Sequence, residues 1–195
     1  MNAIRPPVSD PAIVLGVTGP NASGKGEVCR FLSAHGFAVH SLSDVIRDEA
    51  ARQGVPPERE HLIRLGNELR ERGGSGVLAR GILPKLDGPA VIDSIRNPEE
   101  VAVLRELPRF VLLGVHAPVE LRFARSRERA RPGDPQTLEA FVGREQQENS
   151  KDPAAQQLDA TFALADETVE NAGDLDRLYA RIVEILADRN VIVDV

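Results

Sequence analysis

The sequence is short of several residue types, and each shortage excludes a class of protein. Its 195 residues include one Cys, one Met, one Tyr and no Trp. A single cysteine cannot form an intramolecular disulfide or a multi-cysteine zinc site. No apolar run approaches the ~20 residues that span a bilayer, and the N-terminus lacks the apolar region of a signal peptide. We therefore expect a cytoplasmic protein without a membrane partner.

Lysine is also scarce. The chain has 24 basic residues, and only Lys25, Lys85 and Lys151 among them are lysine. The formal net charge of −6 argues against a nucleic-acid partner, because such partners select a basic surface. A composition that is 42% hydrophobic and 28% charged is ordinary for a globular protein. The length predicts a single domain over residues 1–195, as a monomer or a homodimer.

Strand and helix patterns alternate along the chain. Short apolar runs predict buried strands at 12–17, 90–93 and 110–115, and two further strands are predicted at 37–40 and 167–171. Amphipathic or capped stretches predict helices at 25–35, 41–54, 58–72, 98–107, 118–129, 137–149 and 174–187. Ser41 and Asp44 predict a capping box, and the tail 191–195 is a candidate edge strand. The alternation predicts a three-layer α/β/α fold with a five-stranded, mostly parallel sheet.

A phosphate-binding pattern lies between the first strand and the first helix. It reads Gly19-x4-Gly24-Lys25, the spacing and context of a P-loop. Glycines allow inward-pointing backbone N–H groups, the helix N-terminus favours an anion, and the lysine reaches the β- and γ-phosphates of ATP. The alternative is a glycine-rich turn with a surface lysine. The residues predicted to bind the nucleotide are Gly19, Asn21, Ala22, Ser23, Gly24, Lys25, Gly26 and Glu27.

The loop resembles that of adenylate kinase and related nucleoside monophosphate kinases, which share its Gly-Lys-Gly sequence. Gly26 stands where most P-loops have Ser or Thr, and Glu27 stands where these kinases usually have Thr. The resemblance implies that Mg²⁺ is held mainly through water and substrate phosphates, with no direct protein ligand. It also implies a P-loop NTPase fold and ATP as the phosphoryl donor.

The acceptor side resembles the same kinases at two places. The stretch from Ser41 to Arg47 is similar to their Ser-x-Gly-Asp-x-x-Arg motif, and Asp93 to Arg96 replaces their Asp-Gly-x-Pro-Arg. The resemblance implies that Arg47 and Arg96 clamp the acceptor phosphate, with Asp44 beside them, and that Asp93 orients water on Mg²⁺. It implies an acceptor-binding segment at about 41–85. The alternatives are a solvated helix arginine and a turn-capping carboxylate.

Three arginines predict a lid. Arg122, Arg125 and Arg129 are spaced by three and four residues, which places them on one face of a helix. The resemblance implies that a lid at about 122–150 closes over the transferring phosphoryl group, with Arg125 and Arg129 catalytic and Arg122 binding substrate. Guanidinium groups suit that role because they bind phosphate oxygens bidentately. The alternative is an ion-paired surface helix.

Further along the chain, Asn171 begins an Asn-x-Gly loop. The resemblance implies that this loop lies beside the adenine ring of the bound nucleotide. An ordinary strand-to-helix turn is the alternative. Within these kinases, the chain is similar to a smaller group, which is related to the kinase-like domain fused to some deoxycytidylate deaminases. This resemblance covers residues 12–187. We expect no deaminase half within these 195 residues, because its zinc signature needs more than the one cysteine present.

These observations predict an ATP-dependent kinase of a nucleoside or deoxynucleoside monophosphate. Two alternatives stay open. One is a dephospho-coenzyme A kinase, in which Asp44 would be the general base for a hydroxyl acceptor. The other is a non-catalytic nucleotide-binding regulatory module. The sequence has no motif that identifies the base or sugar of the acceptor.

Overall fold

Five parallel strands form one sheet. The computed structural model describes residues 11–130, 133–149, 152 and 155–191. The strands are numbered in chain order and lie side by side in the order β2-β3-β1-β4-β5. Every neighbouring pair is parallel. Their bounds are β1 Val14–Thr18, β2 Ala38–Ser41, β3 Ala90–Asp93, β4 Phe110–His116 and β5 Glu167–Glu170.

Helices connect the strands and cover both faces of the sheet, as parallel strands require. Their bounds are α1 Lys25–Ala34, α2 Leu42–Gln53, α3 Arg59–Gly73, α4 Val77–Ile82, α5 Pro98–Leu104, α6 Val119–Arg129, α7 Leu138–Glu148, α8 Leu158–Phe162 and α9 Leu175–Ala187, with a 3₁₀ turn at Leu83–Lys85. In the described part of the chain, the longest helix has 15 residues. No described helix is long and apolar enough to cross a membrane.

Two apolar clusters form the core, one on each face of the sheet. Alternate residues of β1 divide between them, because successive side chains of a strand point to opposite faces. Leu15 and Val17 pack with residues of α1 and α9, such as Leu32 and Ile182. Val14 packs on the other face with residues of α2, α4 and α5. The result is the predicted three-layer α/β/α fold, and it places the carboxyl ends of β1 and β3 together at one edge.

Some local predictions need correction. The capping box predicted at Ser41 and Asp44 was wrong, because only Ser41 caps α2, accepting from the N–H of Ser43 at 3.2 Å. The Asp44 carboxylate instead pairs with Arg47. A capping box does occur at α5, between Asn97 and Glu100. Helix α8 was not predicted, since five residues are too few for a periodic pattern, and the candidate edge strand in the tail falls almost wholly outside the described residues.

Candidate active site

The phosphate loop joins β1 to α1, and two of its glycines are required by their surroundings. Gly19 has φ 138°, and a Cβ there would lie 2.0 Å from the carbonyl oxygen of Val115. Gly24 has φ 105°, and a Cβ there would lie 1.9 Å from Nδ2 of Asn171. Only glycine adopts these φ values readily and leaves room for the neighbouring atoms. The glycine spacing of the motif is therefore explained by packing as well as by phosphate chemistry.

The side chain of Lys25 folds back over the loop. Its Nζ donates to the carbonyl oxygens of Gly19 and Pro20, at 2.8 Å each. Burial, and after it the positive charge of Arg96, lower the pKa of Lys25 to about 8, although the Asp93 carboxylate opposes both. The ammonium is therefore poised for an anion, since a phosphate would restore the charge that burial disfavours.

A cleft of about 1140 Å³ opens beside the loop. It runs from the loop past the ends of β2 and β3 and reaches α3 on one side and α6 on the other. Predicted site residues that line it are Asn21, Ala22, Gly24, Lys25, Gly26, Glu27, Arg47, Asp93, Arg96, Arg125, Arg129 and Asn171. The cleft lining does not include Gly19, Ser23, Asp44 or Arg122.

Several polar atoms in this cleft have no hydrogen-bond partner within the described residues. They are Oε2 of Glu27, Oδ1 of Asp93, Nη1 of Arg125 and Nε of Arg129, all shielded from solvent. Buried polar atoms are normally paired, and leaving one unpaired costs about 1–3 kcal/mol. Their concentration in one cleft indicates that it accommodates a polar ligand.

Two further arginines line the cleft, Arg47 of α2 and Arg96 of the loop after β3. Arg47 is half exposed and its Nη1 lies 2.6 Å from Oδ1 of Asp44. Arg96 Nη1 donates to Gln156 Oε1 at 2.9 Å, and its backbone N–H donates to Glu100 Oε2 at 2.8 Å. Both arginines line the same cleft as the phosphate loop, which is the arrangement a transfer between two phosphates needs.

Arg70 of α3 also lines the cleft, and the sequence reasoning missed it. Its Nη2 lies 2.9 Å from Oε1 of Glu100, and both side chains are fully buried. Burial raises the pKa of Glu100, opposed by the Arg70 charge and by the backbone N–H groups of Arg96 and Asn97. Nothing in the amphipathic pattern of α3 distinguishes Arg70 from the surface arginines of that helix.

Helix α6 separates the three arginines that were predicted to form a lid. Arg129 pairs with Asp134 at 3.1 Å, and Arg125 Nη2 donates to Asn171 Oδ1 at 3.3 Å; both arginines line the cleft. Arg122 is 7% exposed and instead lies between α6, α7 and the phosphate loop. The spacing predicted one shared face for the three arginines, but only Arg125 and Arg129 line the cleft, since Arg122 packs against α7.

Asn171 supports the phosphate loop from behind. Its Nδ2 donates to the carbonyl oxygen of Ser23 at 2.9 Å, and its N–H donates to the carbonyl oxygen of His116 at 2.8 Å. The residue is 2% exposed. It therefore ties the loop to the end of β4, beside the guanidinium group of Arg125.

Asp93 suits a magnesium ion. It ends β3 and presents a carboxylate oxygen that has no partner among the described atoms, and hard carboxylate oxygens are what Mg²⁺ prefers. Gly26 supplies no hydroxyl, although a Cβ there would meet nothing within 4 Å. Over the described residues, no group of three or more His, Cys, Asp or Glu could hold a metal. A donor set of one carboxylate, water and substrate phosphates fits these residues.

Comparison with known proteins gives a family match. Residues 18–142 match the family model described as "AAA domain". The chain is similar to a UPF0200 protein of Hyperthermus butylicus, with 34% identity over 90% of this chain and 94% of that protein. It is also similar to a UPF0200 protein of Pyrococcus abyssi, with 32% identity over 89% of this chain and 95% of that protein.

Solved structures share the fold. TT1252 from Thermus thermophilus superposes with a TM-score of 0.61, at 24% identity, over 92% of this chain and 98% of that one. Shikimate kinase from Acinetobacter baumannii superposes with a TM-score of 0.58, at 16% identity, over 93% of this chain and 96% of that one. At these identities the likeness concerns the fold alone, and it agrees with the predicted P-loop NTPase fold.

Proposed function

The chain belongs to the AAA domain family, as a UPF0200 protein, and from that premise we propose that it is an ATP-dependent kinase of a nucleoside or deoxynucleoside monophosphate. One observation carries the proposal. A single cleft joins the phosphate loop to Arg47 and Arg96 on one side and to Arg125 and Arg129 on the other. Two phosphate groups could therefore meet inside one ring of positive charge.

On the donor side, the loop amides and the N-terminus of α1 hold the ATP phosphates. Lys25 exchanges its two carbonyl partners for β- and γ-phosphate oxygens. When bound, Mg²⁺ would neutralise charge on the transferring phosphoryl group, and Asp93 would hold it through water. Asn171 keeps the loop in place by its bond to Ser23.

On the acceptor side, Arg47 and Arg96 orient the monophosphate toward the donor. Its attacking oxygen is already anionic, so no general base is needed. Arg125 and Arg129 then lie over the equatorial oxygens, whose negative charge grows in the transition state. Positioning and charge neutralisation supply most of the catalysis in phosphoryl transfer.

The hydroxyl-acceptor alternative has less support. A dephospho-coenzyme A kinase would need a general base, and Asp44 was the predicted residue. Its carboxylate is paired with Arg47 and does not line the cleft. We therefore place Asp44 as a partner of Arg47, which leaves that reaction without the general base predicted for it.

The test is a panel of acceptors. The protein is incubated with Mg·ATP and each nucleoside or deoxynucleoside monophosphate, with dephospho-coenzyme A, and with shikimate, and ADP production is followed. We expect turnover above the acceptor-free rate with at least one monophosphate. Turnover confined to a hydroxyl acceptor would refute the proposal, and nucleotide binding without turnover would indicate a regulatory module.

Matched lysine variants make the test specific to the loop. Lys25→Ala should abolish ADP production, because it removes the cation that contacts the transferring group. Lys85→Ala is the control, since Lys85 is an exposed lysine paired with Asp48 outside the cleft. Equal losses in the two variants would exclude a specific role for Lys25.

A further inference from the structure

The backbone of Asn21, the third residue of the phosphate loop, is held by both of its polar groups. Its N–H donates to Oε1 of Glu145 at 3.1 Å. Its carbonyl oxygen accepts from Nη1 of Arg122 at 3.2 Å. The same Nη1 contacts Glu145 Oε1, which closes a ring of three contacts. We call Asn21, Arg122 and Glu145 the Asn21 clamp.

The arginine of the clamp is itself fixed. Its Nε donates to the carbonyl oxygen of Ala117 at 3.0 Å, in the turn before α6. Its guanidinium carbon lies 5.5 Å from the ring centroid of Phe141 of α7, within the range of a cation–π contact. Arg122 therefore reaches the loop from a site that is already packed and hydrogen-bonded on its other sides.

The clamp lies directly before a strained residue. Ala22 has φ 58°, a left-handed conformation that costs a non-glycine residue roughly 1–2 kcal/mol. Such a conformation persists only where its surroundings determine it strongly. The two hydrogen bonds to Asn21 restrain the chain immediately before Ala22, so they help to impose the shape of the loop.

We propose that Arg122 and Glu145 are positioning residues, which hold the phosphate loop ready for a nucleotide and connect it to helices α6 and α7. This inference rests on the proposed function, because it presumes that the loop binds nucleotide phosphates. It assigns Arg122 to the loop backbone in place of the direct substrate contact predicted from its helical spacing. Glu145 had no role in the sequence prediction.

The decisive variant removes both charges at once. Removing one partner alone would leave an unpaired buried charge and destabilise the whole protein, whereas replacing both by apolar groups is often neutral for stability. The test variant is therefore Arg122→Met/Glu145→Leu. The matched control is Arg105→Met/Asp166→Leu, which also removes an arginine–carboxylate pair whose carboxylate accepts a backbone N–H, that of Leu112.

Two measurements distinguish positioning from general stability. The first is the Kd of a non-hydrolysable ATP analogue, which we expect to rise about tenfold in the test variant, since small misplacements of binding groups have large effects. The second is deuterium uptake by the peptide that contains residues 19–25, which should become faster. The control variant should leave both unchanged, because the hydrogen bonds of Arg105 and Asp166 go to Leu164 and Leu112 and not to the phosphate loop.

The outcomes separate the two proposals. A folded test variant with unchanged affinity and unchanged uptake overturns the clamp. Failure of the wild-type protein to bind the analogue overturns the proposed function, and deuterium uptake still decides whether the clamp restrains the loop. If the double variant does not fold, Arg122→Lys keeps the charge but loses the forked geometry, and unchanged uptake in that variant overturns the clamp.

Discussion

Lys25 illustrates how a single side chain sets both stability and binding. Its pKa of about 8 in the folded protein lies below the ordinary value of 10.5, chiefly because of burial. Between these two values the unfolded chain binds more protons than the folded one, so the contribution of this group to stability rises as the pH increases. A bound phosphate favours the charged form. Nucleotide binding and deprotonation of Lys25 therefore oppose each other.

This opposition predicts a pH dependence of nucleotide affinity. Between pH 8 and pH 9.5, affinity should fall by up to about tenfold per pH unit, and binding at pH 8.5 should take up a proton. Calorimetry in buffers of different ionisation enthalpy measures both. Lys25→Arg should remove the dependence, because arginine stays protonated. A flat profile for the wild-type protein would mean that the ammonium does not meet the phosphates.

Ser94 offers a stability test at the same scale. It has φ 66°, and it stands where the nucleoside monophosphate kinases have glycine. Ser94→Gly should increase the free energy of unfolding by about 0.5 kcal/mol, as relief of left-handed strain outweighs the added chain entropy. Denaturant unfolding measures the change. The control Ser43→Gly, within helix α2, should lower the free energy of unfolding instead. A lower free energy of unfolding in both variants would contradict the strain argument.

At the scale of elements, helices α3 and α5 meet through one buried ion pair that reaches the site. Glu100 uses Oε1 for Arg70 and Oε2 for the backbone N–H groups of Arg96, at 2.8 Å, and Asn97, at 3.1 Å. The pair therefore fixes the loop after β3, which carries Arg96 into the cleft. The position of Arg96 thus depends on contacts between two helices.

Breaking this pair should affect folding and acceptor binding together. Arg70→Met leaves Glu100 buried and unpaired, which should cost about 3–5 kcal/mol near neutral pH. Since burial raises the pKa of Glu100, the loss should shrink in acid, where the carboxyl group gains a proton. The KM for the acceptor should rise more than the KM for ATP. The control is Arg64→Met, on the exposed face of α3, which should change stability by less than about 0.5 kcal/mol. Similar effects in both variants would refute the coupling between the Arg70–Glu100 pair and acceptor binding.

The elements also show what could be predicted from the sequence and what could not. All five strands and the sheet class were predicted. Continuous apolar runs gave the three central strands β1, β3 and β4, because burial on both faces requires continuous hydrophobicity. The phosphate loop was predicted because its glycines follow a local rule. The roles of Arg70 and Glu145 depend on which helices pack together, and neither spacing nor composition encodes that. The chemical roles assigned to Arg47, Arg96, Arg125 and Arg129 stay predictions.

At the scale of the whole molecule, an acidic body surrounds a cleft rich in arginine. The net charge is −6, yet Arg47, Arg96, Arg125 and Arg129 line one cavity. Clefts with low-dielectric walls concentrate the field of their own charges. A small anion inside the cleft would therefore meet a positive potential, although the molecule as a whole is negative. Carboxylates that pair with arginines of α6 reduce this potential, as Asp134 does by pairing with Arg129.

Removing one such carboxylate should strengthen binding. Asp134→Asn frees Arg129 from its ion pair at 3.1 Å, so a phosphate no longer competes with a carboxylate for that guanidinium group. We therefore expect the Kd of the ATP analogue to fall by about threefold. Titration calorimetry at constant ionic strength measures it. Glu184→Gln makes the same change in net charge at an exposed pair with Arg181 on α9. An equal fall of the Kd in that variant would assign the effect to the net charge of the protein rather than to the loss of the Arg129–Asp134 ion pair.

The sheet order has a consequence for how the chain is made. Val14 of β1 pairs with Ala90 and with Phe110, so the central strand is synthesised long before either of its neighbours. The contact between Asn171 and the carbonyl of Ser23 spans 148 positions and completes the phosphate loop last. Such distant pairings slow folding and leave apolar segments exposed during translation. A nascent chain therefore acquires the finished loop only when its last strand has emerged, and ATP would stabilise completed molecules in preference to fragments.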